Sequence, residues 1–222
     1  MDQQLELVSF KFCPFVQRNI IIAKEKGVDI KVTHINLKEP PQWFLDISPF
    51  KKVPLLRVGD VVLFESTAIA EYLDELSSPS LHPDNALVRA TNRAWIVAAS
   101  ELFMSNARLI KGKTEQDFND ACANLTKQLD LLEPLVKGPY FNGDTFSLID
   151  AAYAPLFLRL DIINQVYPLK IIKPGSNIEK WSKQLLITES VQQSVIDNFA
   201  DAYKNWVAGL GGYCASLLTE TA

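Results

Sequence analysis

The first apolar run, Leu5–Phe10, is rich in strand-forming residues but mixed rather than alternating, and reads as a strand. Apolar residues then recur at Phe15, Val16, Ile20, Ile21, Ile22 and Ala23, at roughly helical spacing. Pro14 stands in the first turn of that predicted helix, where proline's missing N–H does no harm. Gly27 sits where a C-terminal cap would end the helix. Ile30–Ile35 alternates apolar and polar, the period of a half-buried strand. Lys38–Pro49 carries three prolines and the apolar run Trp43–Leu45, so a loop with one short helix is predicted. Val53–Leu56 and Val61–Phe64 are β-rich runs on either side of Arg57–Asp60, and predict a hairpin. Glu65–Leu76 reads as a helix, with Ser66 and Thr67 near its start and Ile69, Tyr72, Leu73 and Leu76 on one face.

The order β-α-β, loop, β-β-α predicts a thioredoxin-like domain over residues 1–77. The tract Ser77–Asn85 is rich in serine, proline and polar residues, and residues 78–85 are assigned as linker. Beyond it strand-like alternation nearly disappears. Ala86–Ile110, Thr114–Val136 and Ser147–Val166 carry helical periodicity, and Ile187–Leu210 carries it more loosely. Residues 86–222 are therefore predicted to be an all-α C-terminal domain. Ser147-Leu-Ile-Asp150 fits a helix cap followed three residues later by an acid, a structural device that performs no chemistry.

The chain has 222 residues, 48% of them hydrophobic and 22% charged, enough for a sizeable core. Its net charge of −4 argues against general nucleic-acid binding, which needs a basic face. Cys13, Cys122 and Cys214 form no CxxC pair and no disulfide framework, which fits a reducing compartment. The first ten residues lack the pattern of a secretory leader, and no apolar stretch approaches the ~18 residues of a membrane span. A cytoplasmic protein that meets neither membrane nor nucleic acid is expected.

Cys13 follows a predicted strand and directly precedes a predicted helix start. Unpaired N–H groups and the positive helix end favour thiolate over thiol there, so a lowered pKa and a nucleophilic sulfur are expected. Val53-Pro54 stands before a strand. It is open to two readings: an edge-strand proline, or a cis bond that offers the Val53 backbone to a peptide-like ligand. Glu65-Ser66 opens a helix, where Ser66 and backbone N–H groups suit a ligand carboxylate and Glu65 suits an ammonium. His34 and His82 have no metal-ligand partners at sensible spacing, and no GxSxG, GxGxxG or P-loop occurs. No metal or nucleotide cofactor is expected.

The segment Phe12-Cys13-Pro14-Phe15-Val16-Gln17-Arg18 resembles the FCPFxxR segment of omega-class cytosolic glutathione transferases. The resemblance runs on through Ile35-Asn36-Leu37-Lys38, Trp43-Phe44, Pro49-Phe50, Val53-Pro54, Glu65-Ser66 and Glu71-Tyr72-Leu73-Asp74-Glu75, and includes Asp150–Pro155 in the helical half. It implies a glutathione transferase fold and a likeness of function. Cys13 would form a mixed disulfide with glutathione. Val53, before a cis Pro54, would pair with the cysteinyl part of the tripeptide. Glu65 and Ser66 would hold the γ-glutamyl ammonium and carboxylate, Lys38 would lie near the glycine end, and Phe15 would pack beside the ligand. Lys51-Lys52 departs from the more neutral family pattern and adds basic character there, so Lys52 joins the glutathione-binding candidates. The implied chemistry is monothiol exchange, with deglutathionylation and dehydroascorbate-type reduction, by a homodimer acting on a small electrophile or disulfide. Phe12, the helix Ala86–Ile110 and Trp206 are candidates to line the second-substrate pocket between the domains. Cys122 and Cys214 are expected to be structural. The chain also resembles stringent starvation protein A in layout, which keeps open a different function: a regulatory protein that binds RNA polymerase.

Overall fold

The computed structural model describes residues 4–219. The outer ends of both assigned domains, and part of the segment in which no leader pattern is found, lie outside the described residues. Four strands form one sheet: β1 (Leu5–Ser9), β2 (Ile30–His34), β3 (Leu55–Val58) and β4 (Val61–Phe64), in the order β2-β1-β3-β4. β1 and β2 are parallel, which requires a crossover, and α1 (Pro14–Glu25) supplies it. Gly27, at φ 62, turns the chain in the left-handed region just after α1. β3 runs antiparallel to β1 and forms the hairpin with β4. The reversal is tighter than the sequence predicts. Arg57 and Val58 pair with Val62 and Val61, and only Gly59 and Asp60 turn.

Both faces of the sheet are covered. Leu5, Leu7 and Leu56 pack with α1 and with Ile69 and Leu73. Val8 and Leu55 pack with Phe44 of α2 (Gln42–Ile47) on the other side. Burial on two sides explains why Leu5–Phe10 shows no clean alternation. α3 (Ser66–Glu75) closes the sheet-bearing half.

No helix or strand occupies residues 76–85. From there the described chain is helical: α4 (Ala86–Lys111), α5 (Glu115–Leu132), α6 (Leu148–Asn164), α7 (Asn177–Ile187), α8 (Glu189–Gln192), α9 (Phe199–Ala208) and α10 (Tyr213–Thr219), with a 3-10 turn at Glu133–Leu135. α7 and α10 have no counterpart among the predicted elements. The loose tract Ile187–Leu210 divides into α8 and α9, with Asn198 at φ 57 capping the second.

α6 is apolar on nearly all sides and sits at the centre of the helical half, against α1, α4 and α7. Asp150 near its start does more than cap. Its carboxylate accepts the Ser147 N–H at 2.8 Å, the Phe141 N–H at 2.9 Å and the Trp181 indole N–H at 2.6 Å. Burial pushes this carboxyl up, and those donors pull against it. One apolar cluster runs unbroken from Leu7 through α1 to Phe157 and Tyr203, so the two halves share a core. Among the described residues no helix is long and apolar enough to cross a membrane.

Candidate active site

The strand registers bring the candidate residues to one end of the sheet. Val8 near the end of β1 pairs with Leu55 at the start of β3, and Leu55 pairs with Phe64 at the end of β4. The turn carrying Cys13, the Val53-Pro54 step and the Glu65-Ser66 step therefore leave from the same edge. β2 runs parallel to β1, so the loop holding Lys38 also starts there.

Cys13 is the N-cap residue of α1, with Pro14 in the first turn. The turn before it is closed by the Cys13 N–H donating to the Phe10 carbonyl at 2.9 Å. The side chain is partly exposed but closely surrounded. Burial pushes the Cys13 thiol up; the Val16 and Phe15 amides and the Arg159 and Arg18 charges oppose this without reversing it. The lowered pKa expected from a helix start is thus corrected. Desolvation by burial outweighs the helix-start amides and both arginines. Burial also pushes Cys122 up to about 11 and Cys214 up to about 12.

The Val53-Pro54 bond is cis. Among the described residues no backbone hydrogen bond engages the Val53 N–H or C=O. Glu65 caps α3 at φ 68 and ψ 115, a conformation that a residue with a side chain rarely adopts. Its side chain is exposed, whereas Ser66 behind it is buried. Lys38 and Lys52 are both exposed on loops. The Lys52 N–H is held by Ser48 Oγ at 3.2 Å. Phe15 is turned toward the helical half: its ring meets Phe103 of α4 edge-on at 5.0 Å.

Arg159 of α6 reaches the Cys13 turn from the other half of the chain. It donates to the Phe12 carbonyl at 3.0 Å and to Gln17 Oε1 at 2.6 Å. Arg18 is fully buried, and its guanidinium stands over the Phe15 and Phe103 rings at 5.5 and 4.9 Å, with no hydrogen-bond partner among the described residues. Burial lowers it to about 10. Phe12 stacks on Trp206 of α9 at 5.0 Å, with Phe10 and Phe199 against the same pair. The structure thus joins Phe12 to Trp206, but α4 meets Phe15 rather than Phe12. A cavity of about 290 Å³ lies between β2, α1 and the segment 193–196, with Cys13 and Arg159 in its wall.

The family model described as Glutathione S-transferase, N-terminal domain, matches residues 12–76. Glutathione S-transferase omega-1 of Rattus norvegicus is 31% identical over 167 residues, spanning 73% of this chain and 69% of that protein. The chain belongs to the omega-like glutathione transferases. The crystal structure of glutathione transferase Omega 3C from Trametes versicolor superposes with a TM-score of 0.78 at 30% identity, covering 89% of this chain and 91% of that one. A stringent starvation protein A homolog from Coxiella burnetii is 29% identical over 180 residues, 80% of this chain and 85% of that protein.

Sequence reasoning missed two buried groups of this transferase, Arg159 and Gln17 in its role as Arg159's acceptor. The signal for Arg159 was present: it is a lone cation in the otherwise apolar run Leu156–Leu160. Gln17 gives no such signal, because its partner is 142 residues away. Among the described residues no group of histidine, cysteine and carboxylate side chains could hold a metal ion. His34 stays on β2, and His82 is bound to Glu71 at 3.0 Å.

Proposed function

We propose that this transferase is a monothiol glutathione-dependent reductase whose reacting atom is the Cys13 sulfur. The observation that carries the reading is the convergence of Cys13, the free Val53 backbone and Glu65-Ser66 on one sheet end. The cysteinyl part of glutathione pairs with the Val53 N–H and C=O beside Pro54. Ser66 and the α3 amides receive the γ-glutamyl carboxylate, and Glu65 receives the ammonium. Lys38 and Lys52 attract the glycine carboxylate, and Phe15 packs beside the tripeptide.

The Cys13 thiolate attacks the glutathione sulfur of a mixed disulfide GS–SR. The S–S bond breaks, RS⁻ leaves and takes a proton, and Cys13–S–SG forms. A second glutathione thiolate attacks that bond and releases glutathione disulfide with the Cys13 thiolate. A dehydroascorbate-type acceptor takes the same two electrons and two protons from two glutathione molecules. No other cysteine neighbours Cys13 in sequence, which favours this one-cysteine route.

The reading extends to a thioredoxin-like domain at 1–77, a linker at 78–85 and a helical domain from 86 on. Exposed Phe50, Val61 and Phe64 support a homodimer, and three free cysteines support a cytoplasmic setting.

The test is intact mass after mixing with oxidised glutathione. Wild type gains one glutathione, removed by reduced glutathione, and Cys13→Ala gains none. Wild type without an adduct would sink the mechanism. Capture of RNA polymerase by the same protein would then favour the regulatory reading that the Coxiella relative raises.

A further inference from the structure

One buried cation is not among the residues assigned to glutathione above. Arg159 belongs to α6, yet its guanidinium ends on the Cys13 turn. One bond goes to the Phe12 carbonyl, just before Cys13, and the other to Gln17, one helical turn after it. The two contacts bracket the sulfur-bearing residue. The chain of contacts continues: Gln17 Nε2 donates to Ser194 Oγ at 3.0 Å, and Ser194 Oγ donates to the Val191 carbonyl at 2.6 Å. Arg159, Gln17 and Ser194 are 2%, 3% and 5% exposed, so water does not share these bonds. Among the described residues Arg159 forms no ion pair; its other neighbours are the Pro155 carbonyl and the faces of Phe199 and Tyr203. A buried charge without a counterion is unfavourable, and it favours the ionised form of any acid it faces. The two acids it faces are Cys13 and Tyr203.

We propose that Arg159 is a positioning residue for Cys13: it fixes the turn from Phe12 to Gln17 and lends its uncompensated charge to the thiolate. Cys13 also faces Arg18 from α1. Lys11, Lys24, Asp29 and His34 line the cavity that Cys13 and Arg159 share. A contact that merely glued the two halves together would leave the titration of Cys13 where it is. The proposal rests on Cys13 being the reacting group, but its test needs no glutathione.

The rate of Cys13 carbamidomethylation by iodoacetamide, assigned by peptide mass, is followed from about pH 7 up to the alkaline limit at which each variant stays folded. Thermal melting of each variant reports whether it folds. In Arg159→Met the midpoint moves up by about one pH unit, an about tenfold slower reaction at neutral pH. Arg159→Lys keeps the charge and recovers most of that shift. A folded Arg159→Met with the wild-type midpoint overturns the proposal. If Arg159→Met does not fold, Arg159→Gln decides: it removes the charge but keeps a polar side chain at that position, and a folded variant with an unchanged pH profile overturns the proposal just as well. A wild-type protein that takes no glutathione adduct removes the proposed function, while the alkylation profile still decides on Arg159.

Discussion

Glu65 allows strain and ligand binding to be separated at one position. Its backbone lies at φ 68 and ψ 115, and its side chain makes no capping bond. A residue with a Cβ held in so sparsely populated a region costs about 1–3 kcal/mol. Glycine relieves that strain but makes the unfolded chain more flexible, which returns about 0.4–1 kcal/mol. Glu65→Gly should therefore stabilise the fold by roughly 0.5–2 kcal/mol. Glu65→Ala keeps the strain and should stay near wild type. Both variants lose the carboxylate proposed to meet the ligand ammonium. A charge-assisted bond of about 1.5–3 kcal/mol predicts at least an about tenfold weaker glutathione affinity for both. Urea unfolding followed by tryptophan fluorescence gives the stability, and titration calorimetry gives the affinity. A glycine variant no more stable than the alanine variant would refute the strain argument. Wild-type affinity in both variants would refute the ligand role.

Asp150→Ala leaves the buried N–H groups of Phe141, Ser147 and Trp181 without their acceptor. A loss of roughly 3–5 kcal/mol in urea unfolding is expected, and a loss below about 1 kcal/mol would contradict it. Glu71 has a different signature. Burial works to raise its carboxyl, but His82 and Arg93 hold it at about 2, below the usual 4.5. Because the folded value is the lower one, its stabilisation is present above pH 4.5 and is lost as pH falls toward 2. Melting temperature against pH should therefore lose part of its acid limb in Glu71→Gln, and an identical limb would rule the pair out as a source of stability.

The sheet half was legible because its punctuation is strong, even where, as in Leu5–Phe10, the alternation is mixed. Pro14, Gly27 and Gly59-Asp60 each mark a reversal that the structure contains. The placement of the candidate residues was legible for the same reason, since Cys13, Val53-Pro54 and Glu65-Ser66 all stand at the ends of such elements. What escaped was set by distance. α7 is amphipathic, with Ile178, Trp181 and Leu185 on its buried face, but it packs through Trp181 onto Asp150 and Phe157, contacts with another element that the local pattern does not name. The direction of the Cys13 shift escaped because a helix start is local, whereas burial of the turn depends on how the rest of the chain packs around it; Trp206, stacked on neighbouring Phe12, comes from the far end of the chain. Asp150 was read as a cap because only its contact with Ser147 is local.

The Gln17–Arg159 bond also constrains how such a chain can change over evolutionary time. The sheet-bearing half carries every residue proposed to touch glutathione, so it looks like a module that could be joined to a new helical partner. It is not self-sufficient, because the turn bearing its sulfur is tied down by a side chain that the second half contributes. A recombinant that kept residues up to the linker and exchanged the helices would fold its strands around an untethered Cys13. The two halves are therefore expected to be inherited together, with substitutions at Gln17 and Arg159 accepted in pairs.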